Sequence, residues 1–265
     1  MLNLEGPIWL VGCGNMGGAL LDRWLARGLD PAQITVIDPQ AAPRPGVRRV
    51  ATPDEAGEAP RIVLLAVKPQ FLESVAADLA ARLTSSTLLV SVLAGTRLSS
   101  LRQRFEAEVV RAMPNTPARI GKGTTAMYGD VSAGAKAAAE TLMAAAGSVH
   151  WVDDEALFDV VTGVSGSGPA YLFRFIEALE TAAVAAGLPP ELAAALALET
   201  VTGAAALADQ SDVPPAELRR QVTSPNGTTQ AGLAVLDGEG ELTWLLTATV
   251  AAATQRSREL AKAFG

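Results

Sequence analysis

Short, almost wholly apolar segments alternate with longer segments of mixed polarity through the first half of the chain. The short segments have the length of strands and no polar face, which is typical of parallel strands buried on both sides. The longer segments place apolar residues at helical spacing, so the alternation predicts a mostly parallel sheet covered by helices. The predicted strands are 8–11, 34–37, 62–67, 87–93, 109–113, 124–128 and 148–152, and the predicted helices are 15–27, 71–83 and 133–146.

From about residue 154 onward the pattern indicates helices only. We therefore predict an α/β Rossmann-like N-terminal domain over residues 1–155 and an all-α C-terminal domain over residues 156–265. The helices of the second domain carry more apolar surface than roughly 110 residues can bury alone, which favours a homodimer interface over a monomeric helical cap. These helices are 157–186 with a break near 163–168, 190–208, 215–222, 229–236 and 242–262.

The chain has 265 residues, a formal net charge of −7 and a single cysteine. An acidic chain without basic runs is not expected to bind nucleic acid or a membrane surface. One cysteine forms no intrachain disulfide, and the N-terminus lacks the basic region of a signal peptide, so we expect a cytoplasmic protein. No apolar run approaches the roughly 20 residues of a membrane-spanning helix, and we expect no metal site.

A glycine-rich motif follows the first predicted strand and opens the first predicted helix. Its G-x-G-x-x-G pattern in this context is the fingerprint of a dinucleotide-binding loop. The first glycine allows a tight turn, the second lets the backbone approach a pyrophosphate, and the third lets helix and strand pack closely. The helix N-terminus then offers free N–H groups to the phosphates. The motif is Gly12-Cys13-Gly14-Asn15-Met16-Gly17.

Asp38 ends the second predicted strand, 21 residues after the last glycine of the motif. At this spacing Rossmann domains place an acid on the adenine ribose hydroxyls. A carboxylate repels a 2′-phosphate, which favours NADH slightly, whereas Arg44, Arg48 and Arg49 follow and could offset the repulsion, so NADPH stays open. The cysteine of the motif is interpreted as a space-filling residue rather than a nucleophile, because no Lys or His lies near it in sequence.

The predicted helical domain lacks an ordinary proton donor for carbonyl reduction, since it has no histidine and no lysine before Lys262. The only histidine, His150, is interpreted as structural. A C=N substrate can arrive protonated and needs positioning more than a strong acid, which favours an imine reductase. Loops rich in Gly, Ser and Thr precede helices at 165–171 and 223–229. Both fit helix caps, but the second has more hydroxyl and amide groups than a cap requires and predicts a cradle for a substrate carboxylate.

Six motifs together resemble those of the pyrroline-5-carboxylate reductase family and span nearly the whole chain. The resemblance implies reduction of 1-pyrroline-5-carboxylate to L-proline by hydride transfer from NADPH or NADH, the last step of proline biosynthesis. It also implies a homodimer, commonly assembled into a ring of five dimers, with an active site where the nucleotide domain meets the partner's helical domain. The motifs are GCGNMGGAL at 12–20, AVKPQ at 66–70, RAMPNTPA at 111–118, VSGSGPAYLF at 164–173, VTSPNGTTQAGLAVL at 222–236 and RSRELA at 256–261.

The resemblance further implies roles for individual residues. Thr229 is implied to be catalytic, with its hydroxyl directed at the ring nitrogen of the substrate, while its neighbours hold the substrate carboxylate. Together with Asp38, the implied cofactor residues are Val11, Gly12, Cys13, Gly14, Asn15, Met16, Gly17, Ala66, Val67, Lys68, Pro69, Ala94, Gly95 and Asn115. The implied substrate residues are Ser224, Asn226, Gly227, Thr228 and Thr229.

Two positions depart from the family pattern. The family usually has two glycines where this chain has Asn226 and Gly227; if the first position requires a positive φ, asparagine is the best substitute for glycine. Pro53 stands in a loop where relatives often have a polar adenosine contact.

Two alternative functions remain open. One is another NAD(P)H-dependent imine or β-hydroxyacid reductase, and the other is a non-catalytic dinucleotide-binding protein.

Overall fold

The computed structural model describes residues 4–264, without the side chains of residues 239, 263 and 264. The chain divides into two compact units. The first unit comprises residues 1–167 together with 251–265, and the second unit comprises residues 168–250. The domain boundary predicted near residue 155 therefore lies inside the first unit.

An eight-stranded sheet forms the centre of the first unit. Its strands are β1 (Ile8–Val11), β2 (Ile34–Ile37), β3 (Arg48–Val50), β4 (Ile62–Leu65), β5 (Leu88–Ser91), β6 (Glu108–Met113), β7 (Gly123–Tyr128) and β8 (Gly147–Trp151). They lie side by side in the order β3-β2-β1-β4-β5-β6-β7-β8, and all pairs are parallel except β6 with β7. The four strands β1, β2, β4 and β5 are buried along their whole length, which explains their continuous apolar sequences. The predicted mostly parallel sheet is confirmed.

The order of the strands reverses direction at β1, which pairs with β2 on one side and with β4 on the other. The connections that leave β1 and β4 therefore run to opposite sides and open a crevice at the carboxyl ends of these strands. Ligands of open α/β sheets bind in such a crevice. The glycine motif follows β1 directly, so the fold places it at this crevice.

Helices cover both faces of the sheet in the first unit. They are α1 (Asn15–Ala26), α2 (Leu72–Ala80), α3 (Leu98–Arg104), α4 (Ala133–Ala144) and α5 (Phe158–Val161), and a π-helix, Thr162–Gly166, follows α5. Trp24 of α1 is fully buried, and its Nε1 donates to the carbonyl oxygen of Leu142 in α4 at 2.8 Å, so α1 and α4 share one face. The core on the other face includes Leu79 of α2 and Leu101 of α3.

The end of the chain packs on the first unit. The Oγ of Ser257 donates to Oδ1 of Asp159 at 2.7 Å. Gly95 lies against the same terminal segment, because a Cβ built on it would be 3.4 Å from Cα of Ala261. Phe158 is almost completely buried. These contacts explain why the compact units divide later in the chain than the predicted domains.

The second unit is wholly helical. It contains α6 (Gly168–Ala185), α7 (Pro190–Gln210), α8 (Pro215–Gln221), α9 (Thr228–Leu236) and the first part of α10 (Glu241–Phe264). Helices α6 and α7 pack against each other. Large apolar side chains nevertheless stay exposed in the single chain, among them Phe173 at 61% and Trp244 at 70%. The predicted all-α class is confirmed, and so much exposed apolar surface is typical of a chain that associates with a partner.

Helix α7 bears on the expectation that no segment of the chain spans a membrane, which stays a prediction. By length and composition it is apolar enough to cross a membrane, with 21 residues and a mean hydropathy of 1.4 in its most apolar window. Its alanines and leucines raise the mean hydropathy, although Glu191 and Glu199 interrupt the apolar sequence. Only 11% of that window is buried in the single chain.

Candidate functional site

The glycine motif forms a tight turn between β1 and α1. Gly12 has φ +88°, and a Cβ on it would lie 2.8 Å from the carbonyl carbon of Ala66 and from the nitrogen of Val67. A Cβ on Gly17 would lie 2.3 Å from the carbonyl oxygen of Gly12. A Cβ on Gly14, in contrast, would meet nothing within 4 Å. The first and third glycines are therefore required by the protein's own packing, and the second faces open space.

The N-terminus of α1 is open to a ligand. Gly14 is its N-cap residue and supplies no side-chain hydrogen bond to the first turn, which contains Asn15 and Met16. The first backbone N–H groups of a helix have no partner within the helix, and they carry the positive end of its dipole. The arrangement fits a phosphate group, because the uncapped donors lie beside the open space over Gly14.

Asp38 lies at the carboxyl end of β2, beside the glycine turn. Its Oδ2 accepts a hydrogen bond from the backbone N–H of Cys13 at 2.8 Å, and its Oδ1 accepts one from the backbone N–H of Gln40 at 2.8 Å. Gly12 also donates from its N–H to the carbonyl oxygen of Ile37 at 3.0 Å. The glycine turn and the acid at the end of β2 thus form one hydrogen-bonded structure.

A cavity of about 580 Å³ lies over these groups. Of the residues singled out from the sequence, it brings together Val11, Gly12, Gly14, Asp38, Ala66, Val67 and Lys68. Sequence reasoning missed further lining residues, namely Ile37, Pro39, Gln40, Ala51, Thr52, Phe71, Ser74, Val75 and Asp78. Ile37 ends β2 and the others belong to the segments that follow β2, β3 and β4, so the rule that ligands bind at the carboxyl ends of parallel strands would have found most of them. Pro53, noted above as a departure from the family, also lines the cavity.

Cys13 is half-buried within the glycine turn. Burial raises the pKa of its thiol above the ordinary value, the nearby Arg44 opposes that shift, and Asp38 and Asp22 add to it. A thiol with a raised pKa is protonated at neutral pH and is a poor nucleophile. The side chain therefore fits the space-filling role.

Ala94, Gly95 and Asn115 follow β5 and β6, at the same edge of the sheet as the cavity but outside its lining. Asn115 is 9% exposed, and both polar atoms of its side chain make hydrogen bonds. Its Oδ1 accepts from the N–H of Thr124 at 2.9 Å, and its Nδ2 donates to the carbonyl oxygen of Ser165 at 3.2 Å. Asn115 thus connects the end of β6 to the π-helix.

In the second unit, the loop predicted as a carboxylate cradle leads into α9. Its N-cap residue, Gly227, gives no side-chain cap, so the first N–H groups of α9 are open. The hydroxyls of Ser224, Thr228 and Thr229 make no hydrogen bond within the part of the chain that the structure describes. Uncapped N–H groups and unused hydroxyls at a helix N-terminus fit a carboxylate ligand.

Asn226 has φ +55°, the one non-glycine residue with a positive φ among those described. The condition stated for the departure at this position, a positive φ, is therefore met. Its backbone N–H donates to Oε1 of Gln230 at 2.6 Å, which ties the turn to α9. Asparagine tolerates this left-handed conformation better than other residues with a Cβ.

Replacing Asn226 by alanine is expected to lower the free energy of unfolding by about 1 kcal/mol, because alanine is strained at a positive φ. Asn226→Gly is the matched control and is expected to be at least as stable as the natural chain. Urea unfolding of the three proteins at one protein concentration measures the difference. Equal stability of the alanine and glycine variants would contradict the conformational argument.

Groups of three or more His, Cys, Asp or Glu side chains that could hold a metal ion are absent from residues 4–264 as described. The absence of a metal site stays a prediction. The groups offered to a ligand are backbone N–H groups at two helix N-termini, hydroxyls, and one carboxylate at the end of β2 that accepts hydrogen bonds.

Two family models match the chain. The model for pyrroline-5-carboxylate reductase dimerisation matches residues 155–260. The model described as NADP oxidoreductase, coenzyme F420-dependent, matches residues 7–95, which contain the glycine motif and Asp38. The first match begins at the residue predicted as the domain boundary. The second includes strands β1 to β5 and therefore the crevice at β1.

Similar proteins extend the comparison to the whole chain. The pyrroline-5-carboxylate reductases of Pseudomonas aeruginosa and Synechocystis are 41% and 42% identical, covering 97% and 96% of this chain and 98% and 97% of those proteins. The solved pyrroline-5-carboxylate reductase of Coxiella burnetii is 33% identical with a TM-score of 0.91, covering 97% of this chain and 99% of that one. The pyrroline carboxylate reductase of Plasmodium falciparum, solved with NADP bound, is 28% identical with a TM-score of 0.84, covering 97% and 98%. The chain belongs to the pyrroline-5-carboxylate reductase family.

Proposed function

We propose that this protein reduces 1-pyrroline-5-carboxylate to L-proline with NADH or NADPH. The observation that carries the proposal is the uncapped N-terminus of α1, which opens beside Gly14 onto a cavity that ends at Asp38. This arrangement fits the pyrophosphate and adenine ribose of a dinucleotide. The near-full-length similarity to pyrroline-5-carboxylate reductases supports the substrate.

The cofactor residues are assigned by their places around the crevice. The turn of residues 11–17 holds the pyrophosphate, and Asp38 accepts hydrogen bonds from the ribose hydroxyls. The segment 66–69 lines the cofactor, and Ala94, Gly95 and Asn115 lie on the nicotinamide side. When bound, the reduced nicotinamide supplies the hydride. The chain's own contribution is to fix the position of the ring, because holding two reactants in the right geometry supplies much of the rate.

The substrate residues are assigned to the loop before α9. The loop of Ser224, Asn226, Gly227 and Thr228 holds the carboxylate through the open N–H groups at the start of α9 and the hydroxyls of Ser224 and Thr228, while the N–H groups of Asn226 and Gly227 are bonded within the loop. Thr229 directs its hydroxyl at the ring nitrogen and orients the C=N bond. The second unit contains no lysine or histidine among residues 168–250, so the nitrogen is best supplied already protonated as an iminium. Thr229 then needs only to position that N–H group.

Oligomer formation uses the helical second unit. The match to a dimerisation model and the exposed apolar side chains of this unit support a homodimer. The apolar helix α7 lies within that match, and we assign its exposed face to a protein partner rather than to a bilayer. Further assembly into a ring of five dimers and a cytoplasmic location belong to the same proposal.

Thr229→Ala is expected to lower kcat/KM for pyrroline-5-carboxylate by at least about tenfold, because a hydrogen bond in the transition state contributes on the order of 1–3 kcal/mol. Steady-state oxidation of the reduced cofactor measures the effect. Thr229→Ser, which keeps the hydroxyl, is the matched control and is expected to retain most activity. An alanine variant as active as the serine variant would remove Thr229 from the mechanism.

A further inference from the structure

The charges that line the dinucleotide cavity differ from what a phosphorylated ribose requires. Among the described lining residues the ionisable side chains are Asp38, Asp78 and Lys68, and there is no arginine. A phosphate monoester carries nearly two negative charges at neutral pH. Proteins that bind one usually direct Arg side chains at it, because the planar guanidinium forms paired hydrogen bonds with its oxygens.

Asp38 is held at the end of β2, where Rossmann domains bind the 2′-hydroxyl of the adenine ribose. Each of its oxygens accepts a backbone N–H, one from the glycine turn at Cys13 and one from Gln40, both at 2.8 Å. Turning the carboxylate away would break both hydrogen bonds and leave two backbone donors without a protein partner. The negative charge at the end of β2 is therefore fixed. It accepts well from ribose hydroxyls and repels a phosphate in the same position.

Arg44, the first arginine after Asp38, is engaged elsewhere. Its Nε donates to Oδ1 of Asp22 at 2.7 Å and its Nη2 to Oδ2 at 3.3 Å, so the pair is bidentate. Its Nη1 donates to the carbonyl oxygen of Ala42 at 3.1 Å. Every guanidinium nitrogen thus has a partner. The hydrogen bonds that Arg44 donates to Asp22 also raise the pKa of Arg44, which is the shift expected of a charge stabilised by its partner.

The other two arginines lie on β3 and are held by backbone carbonyl groups. Nη2 of Arg48 donates to the carbonyl oxygen of Glu55 at 2.5 Å, and Nη1 of Arg49 donates to that of Ala41 at 2.6 Å. The remaining cation of the cavity, Lys68, follows β4, which is separated from β2 by β1. Two strand spacings amount to about 10 Å, so Lys68 begins far from the ribose end of the crevice.

We infer that Asp38, with the neighbouring arginines engaged elsewhere, makes this chain selective for the unphosphorylated cofactor, NADH, over NADPH. The inference rests on the proposed function, since it concerns the same dinucleotide site. The fold alone does not set this choice, because the similar Plasmodium falciparum enzyme was solved with NADP bound. The choice depends on the residues that follow β2 and on the pairing of Arg44 with Asp22.

The test is equilibrium binding of NADH and NADPH, without substrate, by calorimetry at one fixed ionic strength. The natural protein is expected to bind NADH at least about tenfold more tightly than NADPH, because a fixed like charge opposes the phosphate. Asp38→Asn is expected to reduce that ratio by about tenfold. Asp22→Asn, which releases Arg44, is expected to reduce it by about threefold. Asp130→Asn, an exposed carboxylate outside the lining of this cavity, controls for the change in net charge and is expected to leave the ratio unchanged.

Three results would overturn the inference in distinguishable ways. Equal or tighter binding of NADPH by the natural protein would refute the selectivity and leave the proposed reductase function intact. A ratio that Asp38→Asn leaves unchanged would refute the role of this carboxylate. Binding of neither dinucleotide by folded protein would refute the proposed function together with the inference.

Discussion

Replacing Gly17 by alanine is expected to abolish measurable dinucleotide binding and to lower the free energy of unfolding by about 2–3 kcal/mol. The new Cβ would lie 2.3 Å from the carbonyl oxygen of Gly12, and the atom in its way is backbone rather than a flexible side chain. Helix α1 must therefore move away from β1. That movement displaces the N–H groups assigned to the pyrophosphate. Urea unfolding and calorimetric binding of NADH measure the two effects.

Gly14→Ala is the matched control, because its Cβ meets nothing within 4 Å. This variant is expected to unfold within about 0.5 kcal/mol of the natural protein. Its methyl group enters the space assigned to the phosphates, so dinucleotide binding is expected to weaken by at least about tenfold. A Gly14 variant that binds normally would show that the pyrophosphate does not lie over this glycine. A Gly17 variant of natural stability would show that α1 and β1 tolerate a wider spacing.

Arg111→Met is expected to lower the free energy of unfolding by about 3 kcal/mol, because it leaves a largely buried carboxylate without its charged partner. Nη1 of Arg111 donates to Oε1 of Glu155 at 2.9 Å, and the two side chains are 7% and 23% exposed. The guanidinium also lies 4.4 Å from the ring centre of Phe158. Burial lowers the pKa of Arg111 and the hydrogen bond with Glu155 opposes that shift, yet an arginine stays charged at neutral pH.

A double-mutant cycle with Glu155→Gln separates this pair from general packing. The double variant is expected to lose less free energy of unfolding than the two single variants lose in sum, by at least about 1 kcal/mol. The reason is that it removes both charges together and leaves neither one buried alone. The same Oε1 accepts from the N–H of Leu98 at 2.7 Å, so the start of α3 depends on it as well. Additive losses within the error of urea unfolding would mean that the two residues act independently.

The sequence predicted the strands at the centre of the sheet because each is a continuous apolar run. It missed β3, since this strand has three residues and two of them are arginines at an exposed edge. It also missed α3, because a helix of seven residues has too few apolar positions to show a helical period. The break near 163–168 was predicted from its glycines, and the structure replaces a simple break with a π-helix.

The site was predictable where local geometry demands a residue type. Gly12, Gly17 and Asn226 stand at positions set by a positive φ or by a close approach of the backbone, and such demands are visible in the sequence. The pairings of Asp22 with Arg44 and of Arg111 with Glu155 join residues 22 and 44 positions apart. Such pairs depend on the folded arrangement, so a single sequence does not reveal them. The pair of Asp22 and Arg44 contributes to the inferred preference for NADH, and the pair of Arg111 and Glu155 contributes to the stability of the first unit.

The central claim is tested most directly by mixing the purified full-length protein with pyrroline-5-carboxylate and following oxidation of NADH and NADPH while assaying the product. The account predicts cofactor oxidation that depends on the imine and forms proline in equal amount, with NADH the more tightly bound cofactor. No oxidation with either cofactor, in protein shown to be folded and to bind a dinucleotide, would contradict it. That result would leave a dinucleotide-binding protein whose helical unit serves another substrate.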